Sequence, residues 1–249
     1  MKLDHIIAQS TLKTIYQDGE NAVKVFDKNF SKADILNEAL NLARVEETGL
    51  PTPRVVEVTK VDGSWAIVMT LLKGKTIDAL MRENLEKTEE YLETFVKIQL
   101  EMHGYTVPLL NRLKDKMSRK ISESGLDATT RYELQTRLTA MPKHNKLCHG
   151  DFNPSNVLLD DEGHYGILDW SHATRGNASA DAARTYLLFH LKGQVELAEQ
   201  YLDLFCRKSD TAKQYVQKWL PIVAASQSVK GNPEEQELLL KWASVVEYE

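Results

Sequence analysis

The segment Leu147–Trp170 restricts the fold of this 249-residue chain more than any other part of it. It reads LCHGDFNPSNVLLDDEGHYGILDW. Two short apolar runs flank a turn that contains Gly163, which is typical of a β-hairpin. Because a hairpin brings its two ends together, we expect Asn156 and Asp169 to lie side by side. Asp151 precedes them on the loop that leads into the hairpin.

The remaining sequence divides into a strand-rich beginning and a mainly helical remainder. Alternating apolar residues predict strands at Leu12–Tyr16, Ala22–Phe26, Val55–Val58 and Trp65–Leu72. Helical spacing predicts a helix at Ala33–Glu47 and one long helix at Ile77–Gly104. The sequence therefore predicts an α+β fold of two lobes. Residues 1–72 would form a small antiparallel sheet with one helix, and residues 73–249 a larger helical lobe.

Composition excludes several classes of protein. The chain has two cysteines, Cys148 and Cys206, which rules out a disulfide framework and favours a reducing, cytoplasmic location. A net charge of -5 argues against a general nucleic-acid binder. The sequence shows no apolar run long enough for a membrane span and no leader pattern, so we expect no membrane partner. It indicates no particular oligomeric state.

The polar residues around the predicted hairpin are suited to phosphoryl transfer. The oxygens of Asn156 and Asp169 are hard ligands of the kind that Mg²⁺ accepts, with water and phosphates completing the shell. Asp151 would orient or deprotonate an acceptor hydroxyl. Lys24 on a predicted strand would hold nucleotide phosphates, and Glu38 on the following helix would hold Lys24.

These motifs resemble those of the aminoglycoside phosphotransferase and choline kinase family, the small-molecule branch of the protein-kinase-like fold. The resemblance rests on HGDFNPSN, ILDW, NAVKVF and NEALNLARVEETGLPTPRVVEV. It implies that Asp151 is the catalytic aspartate and that Asn156 and Asp169 bind the metal. It also implies an ion pair between Lys24 and Glu38, and a fold of two lobes that bind nucleotide and acceptor.

The same resemblance implies a nucleotide site and a reaction. The strand WAIVMTLLKG is similar to the family's hinge, so Met69 would flank the adenine, and the backbone of Thr70 and Leu72 would hydrogen-bond its edge. The implied reaction is transfer from ATP, or alternatively GTP, to a hydroxyl of a small polar molecule with Mg²⁺ as cofactor. Amino alcohols, sugars and aminoglycoside-like compounds are the implied acceptors.

Two departures from related patterns matter. Gly150 and Asn153 stand where protein kinases carry Arg and commonly Lys, so a protein kinase is not expected. The family's glycine-rich phosphate loop is replaced by IIAQSTLKTIY, which has no glycine. Ser10 and Thr11 could offer amides and hydroxyls to phosphate instead. The missing glycines keep open an alternative function, a nucleotide-binding pseudokinase-like regulatory module without turnover.

Other polar residues have simpler explanations than catalysis. His149 is expected to brace the catalytic loop, and Cys148 to be a buried structural residue rather than a nucleophile or zinc ligand. Asp181 is expected to cap the helix that follows it, with a role as substrate ligand as the alternative.

The acceptor site has the weakest sequence signal. An amine would need carboxylates or aromatic faces around it, and these residue types occur at Asp181, Glu196, Trp242, Glu247, Tyr248 and Glu249. Charges on amphipathic helices usually only contact solvent, and we interpret these residues mainly in that way.

Overall fold

The computed structural model describes residues 3–244, which group by their contacts into two units. The first unit contains residues up to 84 together with 154–172, and the second contains 85–153 and 173 onward. The contacts thus assign residues 73–84 and the predicted hairpin to the first unit. The division into a nucleotide-binding lobe, 1–72, and an acceptor-binding lobe, 73–249, stays a prediction.

The first unit is built on a five-stranded antiparallel sheet in the order β1-β2-β3-β5-β4. Its elements are β1 (His5–Gln9), β2 (Lys13–Asp18), β3 (Asn21–Phe26), α1 (Lys32–Glu46), β4 (Val55–Val61) and β5 (Ser64–Thr70). The predicted succession of two strands, a helix and two strands is present from β2 to β5, and one further strand precedes it. This strand, β1, was not predicted, because its residues are all exposed and carry no clear alternation.

Strand alternation sends the two faces of β3 to different partners. Phe26 on one face packs with Ile67 of β5 and with Ile35 and Ala39 of α1. Val23, which lies on the opposite face, packs with other residues of the sheet. Because successive side chains of a strand alternate, Lys24 shares the face of Phe26 that is covered by α1.

The predicted hairpin is confirmed and belongs to a second, three-stranded sheet. The sheet consists of β6 (Lys75–Thr76), β8 (Val157–Leu159) and β9 (Tyr165–Ile167) in the order β6-β8-β9. The helix α2 (Ile77–Glu83) follows β6 directly in the chain. Val157 pairs with Ile167, and the Leu168 N–H donates to the Asn156 carbonyl at 2.8 Å. Asn156 and Asp169 therefore stand at adjoining ends of the two strands.

The second unit is mainly helical. Its elements are α3 (Thr88–Met102), α4 (Leu113–Glu123), α5 (Ala128–Ala140), β7 (Lys146–Cys148), β10 (Thr174–Gly176), α6 (Ala178–Leu191), α7 (Val195–Ser209), α8 (Lys213–Gln217), α9 (Leu220–Ser228) and α10 (Pro233–Ala243). At its centre the Phe95 ring stacks on Phe152 with centroids 4.5 Å apart, and Tyr201 packs against Phe95 at 6.0 Å. None of the helices described in the chain combines the length and apolarity needed to cross a membrane.

The prediction of one helix over Ile77–Gly104 is wrong. The segment forms α2, a short 3₁₀ turn at Leu85–Lys87 and α3. The chain leaves the helical conformation at Asn84, whose backbone N–H and side-chain amide both donate to the Leu80 carbonyl. This local bonding replaces the next helical turn, which an apolar periodicity cannot reveal.

Gly74 lies where the chain passes close to β8. Its φ of +122° is strained for any other residue, and an added Cβ would lie 2.5 Å from the Leu159 carbonyl oxygen. Gly163 in the hairpin turn also has a positive φ, +85°, but its Cβ would meet nothing within 4 Å. A substitution at Gly163 would therefore introduce backbone strain alone, whereas one at Gly74 would introduce both strain and steric overlap.

We expect Gly74→Ala to lower the free energy of unfolding by about 3 kcal/mol, because strain and overlap add. The matched control Gly163→Ala should lose about 1 kcal/mol from strain alone. Urea denaturation of both variants measures the difference. Equal losses would show that the backbone near Leu159 yields without resistance.

Candidate active site

Lys24 is the centre of a buried charge cluster in the first unit. Its ammonium bonds to Glu38, and it lies 3.2 Å from Oδ1 of Asp169. Lys24 and Glu38 are both almost completely buried. Buried charges are tolerated when they are paired, and here one ammonium faces two carboxylates. The structure thus brings together three of the residues that the sequence singled out.

Local structure explains how these side chains meet. Lys24 projects from the face of β3 that α1 covers. On α1 the buried residues Ile35, Glu38 and Ala39 fall at helical spacing, so Glu38 occupies a place on the apolar face of the helix. A carboxylate at such a place needs a cation, and Lys24 supplies it.

The cluster shifts the pKa values of its members in opposite directions. Burial alone would lower the pKa of Lys24, but the charges of Asp169 and Glu38 outweigh it and raise that pKa above its ordinary value. Burial alone would raise the pKa of Asp169, but Lys24 and Lys13 lower it well below its usual range. Asp169 is therefore ionised at neutral pH and keeps its capacity to bind a cation.

Asp169 has two features of a metal ligand. Its φ is +58°, an unusual backbone conformation for a residue other than glycine. Its buried Oδ1 forms the ion pair with Lys24 but accepts no regular hydrogen bond within the described part of the chain. Together with the side chain of Asn156 it offers a site of few protein oxygens, which suits Mg²⁺ because this ion keeps several waters and phosphate ligands. Residues 3–244 contain no group of three or more His, Cys, Asp or Glu side chains that could hold a metal ion.

A cavity of about 600 Å³ in the first unit ends at this charge cluster. Lys24, Glu38, Asn156 and Asp169 line it together with the predicted hinge residues Met69, Thr70 and Leu72. Most of its other lining is apolar, and the volume lies in the range of small-ligand pockets. Among the described residues, Ser10 and Thr11 do not line it, whereas Ile7 and Ala8 of β1 do.

The hinge backbone is only partly free for a ligand. The Thr70 N–H donates to the Arg54 carbonyl at 2.9 Å, so this N–H is not available to a ligand. The Leu71 N–H donates to the Glu20 carbonyl. Within residues 3–244 the Leu72 N–H makes no hydrogen bond, so it remains as a backbone donor along the edge of the cavity.

Lys13 is a second ammonium near the cavity that the sequence analysis missed. It shares a face of β2 with Ile15, which lines the cavity, and its Nζ lies 3.2 Å from Oε2 of Glu38. The turn before it, 10–12, contains no residue of positive φ. The sequence contained a signal for this position. Lys13 lies two residues before Ile15, and Lys24 lies two residues before Phe26 on the paired strand, so alternation places both lysines on the same face of the sheet.

In the second unit the loop that carries Asp151 is held by backbone hydrogen bonds. His149 is fully buried, and its Nδ1 accepts from the Asp151 N–H at 3.2 Å, which confirms its bracing role. The Phe152 carbonyl accepts from the Thr185 hydroxyl at 2.8 Å. Gly150 between them has a φ of +78°, a conformation that glycine adopts without strain.

Asp181 is the main anchor of this loop, and its prediction as a helix cap is wrong. The cap of α6 is Asn177, whose side chain accepts from the Ser179 N–H. Asp181 points inward instead and accepts from the N–H groups of His149 at 3.2 Å and Gly150 at 2.7 Å. His103 Nε2 lies 3.0 Å from Oδ2, the oxygen that also accepts from the His149 N–H. The sequence could not distinguish a residue that caps α6 from one that lies a turn further along the helix and points inward.

The predicted site residues therefore occupy both units. The first unit holds Lys24, Glu38, Asn156 and Asp169, and the second holds Asp151. In the second unit Arg184 is the cation beside Asp151, with Nη2 lying 3.7 Å from its Oδ1. Arg184 lies on α6 one turn after Asp181, and the sequence analysis did not consider it.

The remaining candidates are structural or lie outside the description. Cys148 is fully buried and not in a disulfide, and burial raises the pKa of its thiol, which excludes a reactive thiolate. Trp242 stacks on Tyr186 with centroids 5.8 Å apart. Glu247, Tyr248 and Glu249 lie outside the described residues.

Comparison with known proteins gives a consistent result. A family model described as a phosphotransferase enzyme family matches residues 9–215. A search of curated protein sequences finds no match.

Solved structures of similar fold include aminoglycoside phosphotransferases. A thermostable mutant of APH(4)-Ia in its apo form has 15% sequence identity and a TM-score of 0.69, covering 97% of this chain and 92% of its own. The aminoglycoside-3'-phosphotransferase of type VIII has 20% identity and a TM-score of 0.66, covering 90% and 92%. APH(3'')-Id from Streptomyces rimosus, in complex with ADP and streptomycin, has 16% identity and a TM-score of 0.62, covering 89% and 92%. The protein-kinase-like α+β fold expected from the sequence is confirmed.

We expect Asp181→Asn to lower the free energy of unfolding by about 3 kcal/mol, because an amide group would face backbone N–H donors that now bond to a carboxylate. The exposed control Glu133→Gln should change it by less than about 0.5 kcal/mol. Urea denaturation at several pH values measures both.

The pH dependence gives a second criterion for Asp181. Burial opposes its ionisation, but hydrogen bonds from His103 and the charges around it lower the pKa below the ordinary 3.8. Its contribution is therefore complete above that value and is lost as the pH falls towards the lowered pKa. A difference between wild type and variant that stays constant down to acid pH would contradict the assignment.

Proposed function

Because the chain belongs to the phosphotransferase enzyme family, we propose that it is a kinase that moves the γ-phosphoryl group of ATP to a hydroxyl of a small polar molecule, with Mg²⁺ as cofactor. The observation that carries the proposal is the cluster of Lys24, Glu38 and Asp169 at the polar end of a 600 Å³ cavity. The similar structures include a ternary complex of APH(4)-Ia with AMP-PNP and hygromycin B, which supports a nucleotide in this fold.

In the first unit the residues would bind and neutralise the donor. The apolar lining would hold the base, while the Thr70 carbonyl and the Leu72 N–H would bond to its edge. Lys24 would place its ammonium on the phosphates, and Glu38 would keep the lysine in position. Asn156 and Asp169 would hold Mg²⁺, which neutralises charge on the phosphates during transfer. GTP stays an alternative donor, because backbone groups make both hinge contacts.

In the second unit Asp151 would act on the acceptor. A new bond forms between the acceptor oxygen and the γ-phosphorus, while the bond from that phosphorus to its bridging oxygen breaks. The proton of the hydroxyl passes to the Asp151 carboxylate, and the nucleoside diphosphate leaves with the bridging oxygen. The rigid loop around His149 and Asp181 would hold the carboxylate in place, since positioning supplies most of the rate in such reactions.

The glycine-free turn at 10–12 favours one alternative, a pseudokinase-like module that binds nucleotide without turnover. Against it, each polar group needed for transfer is present, and a binding module has no chemical need for Asp151. Lys13 could also supply the charge that glycine amides supply elsewhere. A cytoplasmic location, and the absence of nucleic-acid and membrane partners, stay predictions.

We expect Asp151→Asn to lower kcat at least about 100-fold, because the variant cannot take the acceptor proton. Nucleotide affinity should be unchanged, since the proposal assigns Asp151 to the acceptor and other residues to the nucleotide and the metal. Release of ADP during turnover with a panel of hydroxyl compounds measures kcat, and a thermal-shift titration with ATP and Mg²⁺ measures binding. Asp161→Asn, in the exposed hairpin turn, is the matched control and should retain full activity.

The two assays separate the alternatives. Nucleotide binding with turnover that depends on Asp151 would support a kinase. Mg²⁺-dependent nucleotide binding without turnover on any acceptor would favour the pseudokinase-like module. Absence of a shift with ATP and with GTP would refute both.

Lys13 should contribute to nucleotide affinity. We expect Lys13→Met to weaken ATP binding about tenfold, because a charge-assisted contact to phosphate is lost. Lys28→Met, an exposed lysine in the turn after β3, is the matched control and should leave affinity unchanged. Calorimetric titration with ATP and with adenosine measures both variants. A weakening that is equal for ATP and adenosine would show that Lys13 does not act on phosphate.

A further inference from the structure

Arg184 is a buried cation beside Asp151. It is nine-tenths buried, with a relative exposure of 9%. Its Nη2 lies 3.7 Å from Oδ1 of Asp151, and this ion pair places a guanidinium next to the carboxylate assigned to the acceptor. A guanidinium carries five N–H donors, more than one carboxylate can use, so Arg184 has the chemistry to hold a second anionic group beside Asp151.

Three lysines lie within electrostatic reach of Arg184. Lys116 and Lys120 are one turn apart on α4 and so share a face of that helix. Lys230 follows the end of α9, which packs against both α4 and α6. Helix packing in the second unit therefore gathers three lysines around Arg184, although the chain as a whole carries a net charge of -5.

The four charges act on one another. Burial, followed by the charges of Lys120, Arg184 and Lys230, lowers the pKa of Lys116 to about 7. Burial and Arg184 lower the pKa of Lys120 and of Lys230 in the same direction. Such a group of like charges is unfavourable by itself, and an anion placed among them would relieve the repulsion.

We call this group the basic cluster (Lys116, Lys120, Arg184 and Lys230), and carboxylates of the second unit also lie near it. Asp151 and Glu235 face it, while Asp181 is committed to the loop amides and His103. Glu235 also accepts hydrogen bonds from Gln227 and Asn232. Glu123 lies near Lys120 at the end of α4.

One group of acidic residues in the second unit lies apart from Asp151. A separate groove of about 940 Å³ is lined by Glu86, Glu89, Glu93 and Glu196, and Asp151 does not line it. Glu196 is one of the carboxylates that the sequence offers for an amine. Among residues 3–244, the carboxylates of this groove are therefore not placed to surround a polycationic acceptor at Asp151.

We propose that the acceptor of the reaction is an anionic hydroxyl compound, one that carries a carboxylate or phosphate group bound by the basic cluster while its hydroxyl faces Asp151. This inference rests on the proposed kinase function and names the class of its acceptor. Arg184 would bind the anionic group in a fork and the lysines would add charge, as planar guanidinium and compact ammonium groups do. An amine or an aminoglycoside would be repelled from the same place.

The test is a binding titration of the full chain with inorganic phosphate, followed by four matched three-carbon ligands: glycerol, glycerate, glycerol 3-phosphate and serinol. These ligands share a size but differ in charge. We expect glycerate or glycerol 3-phosphate to bind at least about tenfold more tightly than glycerol and serinol. The preferred member of the two anions then distinguishes a carboxylate from a phosphate.

Variants locate the binding. Lys120→Gln/Lys230→Gln should weaken phosphate binding at least about tenfold, whereas Lys97→Gln, an exposed lysine on α3, should leave it unchanged. Melting of the unliganded variants checks folding, and the single variant Lys230→Gln replaces the double one if the latter is unstable. Phosphate binding that survives the double substitution, equal binding of the four ligands, or preference for serinol would each overturn the inference.

A separate ATP titration distinguishes this inference from the proposed function. A nucleotide shift without an effect of anions would refute only the anionic acceptor. An effect of anions at the basic cluster without any nucleotide shift would refute the kinase function. Both effects together, with turnover on the preferred anion, would support both.

Discussion

The ion pairs of Lys24 are the interaction on which the rest of the first unit depends. They connect a strand of the sheet, the helix that covers it and the end of the hairpin in one buried group. Removal of Lys24 would take from Glu38 and Asp169 the ammonium that they share, which is strongly destabilising for buried charges. The same charges keep Asp169 ionised and an ammonium at the polar end of the cavity. Stability and ligand binding therefore use the same three side chains.

The second unit applies the same principle with a different anchor. The central buried charge of the second unit is Asp181. It accepts hydrogen bonds from backbone N–H groups of a loop, whereas Lys24 in the first unit donates to side chains. The loop is thereby fixed around Asp151, while Arg184 on the same helix contributes a cation next to it. One helix, α6, thus positions the predicted catalytic carboxylate and supplies part of the charge around it.

Charge also explains how a chain without a glycine-rich loop could retain a phosphate site. Glycine loops bind phosphate through backbone amides that approach closely. Here the turn at 10–12 has ordinary backbone conformations, and Lys13 on the strand that follows lies 3.2 Å from Glu38 in the charge cluster. An ammonium on a strand does not need the positive φ that the glycines allow.

The sequence alone determined four of the five strands of the sheet, the helix between them and the hairpin, because these follow from alternation, turn chemistry and helical spacing along the chain. Its short motifs indicated the family, and the pairing of Lys24 with Glu38 was expected from that resemblance and from phosphoryl-transfer chemistry. Only the tertiary structure decided that Asp181 points inward, that Asn84 divides a long helix, and that the members of the basic cluster lie together. These facts depend on which helix faces pack together. Contacts between helices far apart in sequence leave no local pattern in the sequence.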